Sequence, residues 1–440
     1  MVRITVQKYG GSSLCDATSV CRAADEAVSA HRAGRRVVVV VSAMGQTTDR
    51  LLSLARLAGP DPDAQELDVL LGTGERASAA LMALAIRARG VPARSFSGPT
   101  AGVVTSGSHG RARIVDVDTQ PIRADLSAGQ LVVVAGFQGA DQATGCVTTI
   151  GRGGSDATAT ALAAALQAHV CEIRTDVDGV HTADPQHVPQ SGRLARLSYD
   201  EVYELARAGA RILMPQCVRY AQIAGIPLHV RTATGASQGT WVDGDIHRHS
   251  EAGERRPQVI GLAHLNDQAQ YVITGLPDQP EARAALLTAL EEATVSPAMI
   301  SWNSATRAGR VNLSFVAAQE DRPATAAVLE ALGPAGEHDD IQYTAPLGRL
   351  TAVGTSLRSC PSLLPGLMKK LYEHGIEARR WEVRDNRVTV LCPPGRTVDA
   401  LIVAHDALMT DHGAMALGLP DRSSEDAEAD VPAVGWRDAG

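Results

Sequence analysis

A lysine beside a glycine pair is the first stretch of this chain that could do chemistry. Lys8, Gly10 and Gly11 follow a short apolar strand pattern and precede a helix pattern. A strand, a glycine turn and a helix direct backbone N–H groups towards an anion. The chain has 41 Lys and Arg residues, and only Lys8, Lys369 and Lys370 are lysines. Because a compact ammonium fits beside glycine where a planar guanidinium does not, Lys8 is a candidate phosphate contact. An ordinary lysine beside a turn is the equally weighted alternative.

A second glycine-rich stretch, residues 151–156, carries an arginine, a serine and an aspartate. It reads Gly-Arg-Gly-Gly-Ser-Asp and precedes a long helix rich in Ala and Leu, predicted over residues 157–168. Its glycines let the backbone approach a ligand, and Arg152 could bind a carboxylate through two parallel hydrogen bonds. Asp156 has a structural alternative as the N-cap of the helix. The embedded charges make this stretch more specific than a lone glycine motif.

Hydroxyl and carboxylate side chains follow other predicted elements. Ser42 and Thr48 come after the apolar strand Val37–Val41 and could donate to a carboxylate or a phosphate. Hydroxyls in such turns are nevertheless more often helix caps. Glu75 lies in the first turn of a helix predicted over residues 77–89, where the helix dipole favours a carboxylate in any protein.

Three aspartates, Asp176, Asp178 and Asp184, lie within nine residues after the predicted strand Val170–Thr175. They suggest the handling of a Mg²⁺–nucleotide complex, since Mg²⁺ prefers few carboxylates together with phosphate oxygens. A polar turn with capped backbone groups is the alternative. The sequence has no Walker A pattern and no HRD or DFG set, so these classes of phosphotransferase are excluded.

These residues require a parallel α/β scaffold. Continuous apolar runs such as Val37–Val41 and Leu131–Ala135 are typical of strands buried on both faces of a parallel sheet. Ligands of open α/β sheets bind at the carboxyl ends of the strands. The polar residues that follow the strands are therefore the candidate site.

The composition is that of a globular protein of two or three domains. The chain has 41 basic and 49 acidic residues, and the net charge of −8 argues against a nucleic-acid partner. Its seven cysteines form no CxxC pair, which indicates reduced thiols in a cytoplasmic protein rather than a disulfide or zinc framework. We expect no signal peptide and no membrane span, because the apolar runs are short.

Eight stretches together resemble the aspartate kinases (aspartokinases) of the amino acid kinase superfamily. They stand in family order across about residues 3–235: Lys8–Ser13, Val38–Asp49, Leu70–Arg76, Val134–Gly139, Thr148–Asp156, Thr175–Pro185, Leu197–Gly209 and Ile226–Arg231. The resemblance implies an α/β amino acid kinase fold, a mostly parallel sheet between helices, as a catalytic domain over residues 1–235.

The resemblance also implies phosphoryl transfer from ATP with Mg²⁺ to L-aspartate, which gives 4-phospho-L-aspartate and ADP. Lys8 would neutralise the transferring phosphoryl group, and Asp156 would hold Lys8 in place. Glu75 would bind the substrate ammonium, and Arg152 its α-carboxylate. The other implied contacts are Ser42, Thr48 and Ser155 with the substrate, and Gly10, Gly11, Ser12, Thr175, Asp176, Asp184 and Arg211 with the nucleotide. The Mg²⁺ ion would be held mainly by phosphates, with no metal site made by the protein.

The chain departs from the family pattern near the nucleotide. After Gly209 and Ala210 the family usually has a lysine and then His-Pro-Arg, where this chain has Arg211 and then Met214-Pro215-Gln216. His181 stands where the family usually has a tyrosine. These changes concern nucleotide affinity more than the chemistry, since the substrate stretches are intact.

The C-terminal part contains two similar strand–helix–strand units that resemble the paired ACT domains of aspartokinases. We expect a linker at residues 236–258, α+β ACT-like domains of the βαβ type at 259–345 and 346–415, and a disordered tail at 416–440. Paired ACT units usually pack across a dimer, which implies a homodimer.

Several positions in these units depart from the family. Glu281 replaces a usual glycine, and Ser296-Pro297 and Gly375-Ile376 replace usual Asn-Ile pairs. Residues 379–383, Arg-Arg-Trp-Glu-Val, replace a usual Ile-Ser-Thr-Ser stretch. We therefore expect feedback inhibition by lysine and threonine to be reduced or lost.

Two further hypotheses stay open. A kinase of the same fold could act on another amino acid or carboxylate in a specialised pathway, because Glu75 and Arg152 favour an α-amino acid but do not fix its side chain. The chain could also be a non-catalytic regulatory subunit or pseudokinase, which His181, Arg211 and residues 214–216 motivate. An ADP-release assay with aspartate and close analogues separates these hypotheses.

Overall fold

The computed structural model describes residues 3–233, 237–244, 258–331 and 338–409, and these form two compact units. The first unit holds the residues up to His181 together with residues 192–207 and 211–244. The second holds residues 182–191, 208–210 and the described residues from Gln258 onwards. Most of the predicted linker and all of the predicted tail at 416–440 lie outside the described residues.

The described residues up to Gly244 alternate strands and helices. The strands are β1 (Ile4–Tyr9), β2 (Arg36–Val41), β3 (Ala93–Phe96), β4 (Val103–Thr105), β5 (Ile114–Val117), β6 (Leu131–Ala135), β7 (Gln138–Asp141), β8 (Val147–Thr149), β9 (Val170–Thr175), β10 (Val180–His181), β11 (Arg193–Leu194), β12 (Arg196–Ser198), β13 (Leu228–Thr232) and β14 (Thr240–Asp243). The helices are α1 (Ala17–Arg32), α2 (Thr47–Ala58), α3 (Ala64–Arg87), α4 (Gln120–Ser127), α5 (Gly154–Leu166), α6 (Tyr199–Ala208) and α7 (Pro215–Ala224).

The main sheet of this unit has the order β12-β14-β13-β9-β1-β2-β6-β3 and is mostly parallel, as predicted. A smaller sheet has the order β5-β4-β7-β8. Strand β1 lies between β2 and β9, with Lys8 opposite both Val40 and Ile173. Because these three strands are parallel, their carboxyl ends lie at the same edge of the sheet. Gly10 follows β1 there, Ser42 follows β2, and Thr175 is the last residue of β9.

Helix α3 is longer than the sequence predicts, and Glu75 lies in its interior rather than in its first turn. The helix begins after Asp63, whose carboxylate accepts hydrogen bonds from the backbone N–H groups of Gln65 and Glu66. The prediction was wrong because Gly74, which suggests a turn, is needed for close packing inside the helix. A Cβ atom at Gly74 would lie 2.9 Å from the Cβ of Ala43.

Helix α3 is also long and apolar enough to cross a membrane when only its length and composition are considered. Half of its most apolar window is buried inside the fold. Core helices of globular proteins pass the same test, so this is weak evidence for a membrane span.

Strand β14 lies within residues 236–258, which the sequence predicts to be a linker. It pairs antiparallel with β13 and parallel with β12, and both Thr240 and Val242 are fully buried. These four residues therefore belong to the main sheet, and the linker prediction is wrong for them. Their alternating pattern is too short to separate a strand from a loop by sequence alone.

Polar side chains form a buried network on β1 and β9. The carboxylate of Glu172 accepts hydrogen bonds from Gln7 Nε2 at 3.0 Å and from Arg174 Nη2 at 2.6 Å. Arg174 Nη1 also lies 3.5 Å from a carboxylate oxygen of Glu26 in α1. Burial alone would raise the pKa of Glu172, but the neighbouring Arg174 guanidinium holds it below its ordinary value. Each buried charge in this network depends on its partner.

The second unit is built on one six-stranded sheet among the residues that the structure describes. Its strands are β15 (Gln258–Pro277), β16 (Ala298–Ser304), β17 (Arg310–Ala318), β18 (Asp340–Thr355), β19 (Arg380–Val383) and β20 (Arg387–Cys392), in the order β16-β17-β15-β18-β20-β19. Its helices are α8 (Pro280–Glu292), α9 (Arg322–Ala331), α10 (Leu363–Glu373) and α11 (Thr397–Met409).

The two ACT-like units share the long strands β15 and β18. Residues 268–273 of β15 pair both with β17 and with residues 341–347 of β18, whereas residues 258–265 pair with residues 349–355. The first strand in sequence therefore completes the second unit. A boundary between residues 345 and 346 divides β18, so the predicted division into consecutive domains is wrong here. Such long-range pairing leaves no local signal in the sequence.

We expect Glu172→Gln to destabilise the first unit by about 3–5 kcal/mol, because it leaves the buried Arg174 without its main counter-charge. Chemical denaturation measures the loss. The control is Asp25→Asn, since Asp25 pairs with Arg89 but has a side chain that is 65% exposed. Asp25→Asn should lower the free energy of unfolding by less than about 1 kcal/mol. Equal costs for the two variants would contradict the importance of the buried network.

Candidate functional site

An ion pair joins strand β1 to helix α5. The Lys8 ammonium lies 2.6 Å from a carboxylate oxygen of Asp156, and Lys8 is 8% exposed. Helix α5 begins after Gly153, whose left-handed φ of +67° suits glycine. Asp156 is thus in the first turn of the helix and is not its N-cap. Its carboxylate is aimed at Lys8, which is the pairing that the family resemblance implies.

The turn after β1 packs closely against the turn after β2. Gly10 N donates a hydrogen bond to Arg174 O at 3.3 Å, and a Cβ at Gly11 would lie only 2.7 Å from the carbonyl oxygen of Ala43. A Cβ at Gly10 would be 3.5 Å from the Lys8 ammonium, an ordinary contact. Gly11 is therefore required by the fold itself, and the exposed Ser12 begins a short helical turn beside it.

Glu75 is a buried carboxylate, and only one of its two oxygens has a hydrogen-bond partner among the described residues. It is 3% exposed, and one carboxylate oxygen accepts a hydrogen bond from Ala43 N at 3.0 Å. The other oxygen has no hydrogen-bond partner in the described part of the chain. Burial raises the pKa of Glu75 to about 7. A carboxylate in this state gains strongly from a cation that approaches the free oxygen.

The remaining residues of the predicted substrate site differ in exposure. Ser42 is partly buried after β2, and its backbone N–H donates to Tyr9 O at 3.1 Å. Thr48 is partly buried in the first turn of α2, and Ser155 is buried in the first turn of α5. Arg152 is exposed and makes no side-chain ion pair within the described residues. Its charge is available to an anion.

The predicted nucleotide residues are divided between the two compact units. Thr175 Oγ1 donates to a carboxylate oxygen of Asp176 at 3.0 Å at the end of β9. Arg211 is exposed in the same compact unit, but Asp184 belongs to the other unit, where its carboxylate accepts from Gln186 N at 2.9 Å. Across the described ranges, no group of three or more His, Cys, Asp or Glu side chains is arranged to hold a metal ion.

Met214, one of the departures from the family pattern, has a definite place in the fold. It is the N-cap residue of α7, and its side chain covers Gly153 so closely that a Cβ at Gly153 would overlap it. Cys217, in the same helix, packs against Ile150 and Ala157. Helix α7 is therefore fixed to α5, the helix that carries Asp156.

Four further polar residues were not singled out by the sequence reasoning. Asp68 is buried in α3 and contacts His109 and Thr149, and Gln138 Nε2 donates to Gly72 O at 2.8 Å. Asp68 precedes Glu75 by seven residues, which is two helical turns, so both project from the same face of the helix. The seven-residue spacing is visible in the sequence, but it places the two residues on one face only if the helix already begins at Ala64.

Comparison with known proteins gives consistent matches. The model of the amino acid kinase family matches residues 3–232. An aspartokinase of Mycolicibacterium smegmatis is 42% identical over 405 residues, which cover 92% of this chain and 96% of that protein.

Solved structures agree on the fold. The chain matches Escherichia coli aspartokinase III in complex with aspartate and ADP with a TM-score of 0.79 and 23% identity, over 92% of this chain and 100% of that chain. It matches aspartate kinase from Synechocystis with a TM-score of 0.51 and 31% identity, over 94% of this chain and 69% of that chain.

We expect the stability effect of Glu75→Gln to depend on pH. The carboxyl titrates near 4.5 when unfolded and near 7 when folded, so the wild-type protein loses stability as pH rises between these values. The variant lacks this loss. The thermal midpoint of the variant minus that of the wild type should therefore be larger at pH 8 than at pH 5, by roughly 2–5 °C. A difference that is the same at both pH values would show that Glu75 is not a buried, titrating carboxylate.

Proposed function

The chain belongs to the amino acid kinase family and, within it, to the aspartokinases, and on this basis we propose how its residues carry out the reaction. It is a kinase that phosphorylates aspartate with ATP. The proposed acceptor is the side-chain carboxylate of L-aspartate, and the product is 4-phospho-L-aspartate. The observation that carries the mechanism is the 2.6 Å ion pair between Lys8 and Asp156.

Two opposite charges bind the amino acid head group in this proposal. The free oxygen of the buried Glu75 receives the substrate ammonium, which supplies the missing counter-charge. Arg152, which makes no ion pair within the described residues, receives the α-carboxylate in a bidentate geometry. Ser42, Thr48 and Ser155 line the same pocket. The burial of Glu75 supports this assignment, because an anion there needs a cationic ligand.

Phosphoryl transfer requires alignment and charge neutralisation more than covalent help from the protein. An oxygen of the aspartate side chain attacks the γ-phosphorus, the bond between that phosphorus and the β–γ bridging oxygen breaks, and ADP leaves. The Lys8 ammonium follows the transferring group, and Asp156 fixes the ammonium. The proposed nucleotide contacts are Gly10, Gly11, Ser12, Thr175, Asp176, Asp184 and Arg211. Mg²⁺ would be held mainly by the phosphates of ATP, where it would neutralise part of their charge.

Reduced feedback by lysine and threonine is part of the proposal. Arg380, in β19, donates hydrogen bonds to Met299 O at 2.7 Å, to Ser301 Oγ at 2.6 Å and to Ser314 Oγ. These acceptors lie on β16 and β17 of the first ACT-like unit. The guanidinium thus occupies three oxygen acceptors that the ammonium of a bound amino acid could otherwise use. This supports weakened effector binding.

A cytoplasmic homodimer through the ACT-like units completes the proposal. The sheet of the second unit ends in β16 and β19, and edge strands offer backbone groups to a second chain. The seven cysteines are free, as expected in a reducing compartment. Light scattering that gives a monomer at micromolar concentration would contradict the dimer.

Lys8→Arg should lower kcat by about 100-fold or more, because the larger guanidinium keeps the charge but cannot take the ammonium's place beside the phosphoryl group. A coupled ADP-release assay with aspartate measures the loss. Lys370→Arg is the matched control, since Lys370 is exposed and pairs only with Glu373 among the described residues. Near-normal kcat for Lys8→Arg would refute the assigned role.

We expect lysine and threonine, separately and together at low millimolar concentration, to inhibit the enzyme weakly or not at all. The reason is that Arg380 occupies oxygen acceptors on β16 and β17 and that residues 379–383 depart from the family pattern. Titration of both amino acids into the same assay, at an aspartate concentration near KM, gives the answer. Strong concerted inhibition would overturn this part of the proposal.

A further inference from the structure

Asp68 is a buried carboxylate that the proposed reaction does not use. It is 1% exposed and projects from α3 two turns before Glu75. A carboxylate so far from water must be held by hydrogen-bond donors. Its donors therefore indicate what it does.

The donors come from two separate segments of the chain. His109 Nδ1 lies 2.7 Å from one carboxylate oxygen, and the backbone N–H of Gly110 lies 3.1 Å from both. Thr149 Oγ1 donates to the carboxylate as well. Asp68 thus joins the loop between β4 and β5 to the last residue of β8.

Both segments lead to the loop that carries Arg152. Ala112 N donates to Thr149 O at 2.9 Å, which ties the two segments to each other. The carbonyl oxygen of Gly110 lies against Gly151, where a Cβ would be 3.0 Å away. Gly151 immediately precedes Arg152, so the backbone at Arg152 rests on the segments that Asp68 holds.

We propose that Asp68 is a positioning residue that sets the place of Arg152 relative to Glu75. This inference rests on the proposed roles of Glu75 and Arg152. One rigid helix carries both Glu75 and Asp68, so the spacing between the anionic and the cationic anchor of the substrate is fixed through that helix. The glycines on both sides of Arg152 offer little stiffness of their own. Without Asp68, the guanidinium loses its alignment with the α-carboxylate.

The first test is Asp68→Asn, which keeps the shape but loses the charge and one acceptor. We expect KM for aspartate to rise about 10-fold or more, because small displacements of a positioning group have large effects. KM for ATP should stay within about 2-fold of the wild type. Asp63→Asn is the matched control, since asparagine still caps α3 and should leave both constants unchanged. A fall in kcat with unchanged KM for aspartate would overturn the inference.

A milder variant covers the case in which Asp68→Asn does not fold. The His109 side chain is 25% exposed, so its substitution places less demand on the core. His109→Ala should raise KM for aspartate. His109→Gln can still donate a hydrogen bond to Asp68, so its KM for aspartate should lie closer to the wild-type value. Equal KM values for the wild type and His109→Ala would count against the inference.

A double-mutant cycle separates this inference from the proposed function. If Asp68 acts through Arg152, then adding Asp68→Asn to Arg152→Gln should not raise KM for aspartate further. Additive effects would overturn the inference and leave the proposed function standing. If Arg152→Gln alone leaves KM for aspartate unchanged while the wild type turns over, the assigned substrate site has failed, and the inference fails with it.

Discussion

The ion pair between Lys8 and Asp156 is the interaction on which the arrangement of the site depends. It joins the middle strand of the parallel sheet to the helix that follows the Arg152 loop. Register brings Lys8 to the edge where β2 and β9 also end, and the left-handed turn at Gly153 brings Asp156 to meet it. Because α7 is fixed to α5 through Met214 and Cys217, the position of Asp156 depends on both helices.

Helix α3 complements this pair by carrying two buried carboxylates. Asp68 is satisfied by neighbouring donors, whereas Glu75 keeps one oxygen without a partner within the described residues. The first arrangement stabilises the fold, and the second costs stability when Glu75 is ionised. The same helix therefore carries a well-satisfied carboxylate and the proposed binding group, as is common where function and stability compete.

Local patterns in the sequence were enough to predict the parallel sheet and the residues at its edge. Strands such as Val37–Val41 are predictable because they are continuous runs of β-branched residues. The residues at the carboxyl edge of the sheet follow these strands directly in the sequence. The start of α3 was not predictable in the same way, because Gly74 serves a contact with Ala43 that only the folded chain reveals. The pairing of residues 258–265 with residues 349–355 is similarly invisible, since it joins segments far apart in sequence. Asp68 was missed because the sequence did not reveal that α3 begins at Ala64, ahead of this residue.

The departures from the family pattern are absorbed in different ways by the two compact units. In the first unit, Met214 fills the space over Gly153, so its change is accommodated by apolar packing beside an intact Lys8–Asp156 pair. In the second unit, Arg380 belongs to the stretch 379–383 that departs from the family pattern, and its guanidinium donates hydrogen bonds to three neutral oxygens. Among the described residues its hydrogen bonds go to neutral oxygens, and the nearby Glu382 carboxylate favours its charge. A cation in this position disfavours a second ammonium at the same place. The first change leaves the Lys8–Asp156 pair intact, while the second places a guanidinium on oxygen acceptors of the first ACT-like unit, which is the observation behind the proposed loss of feedback.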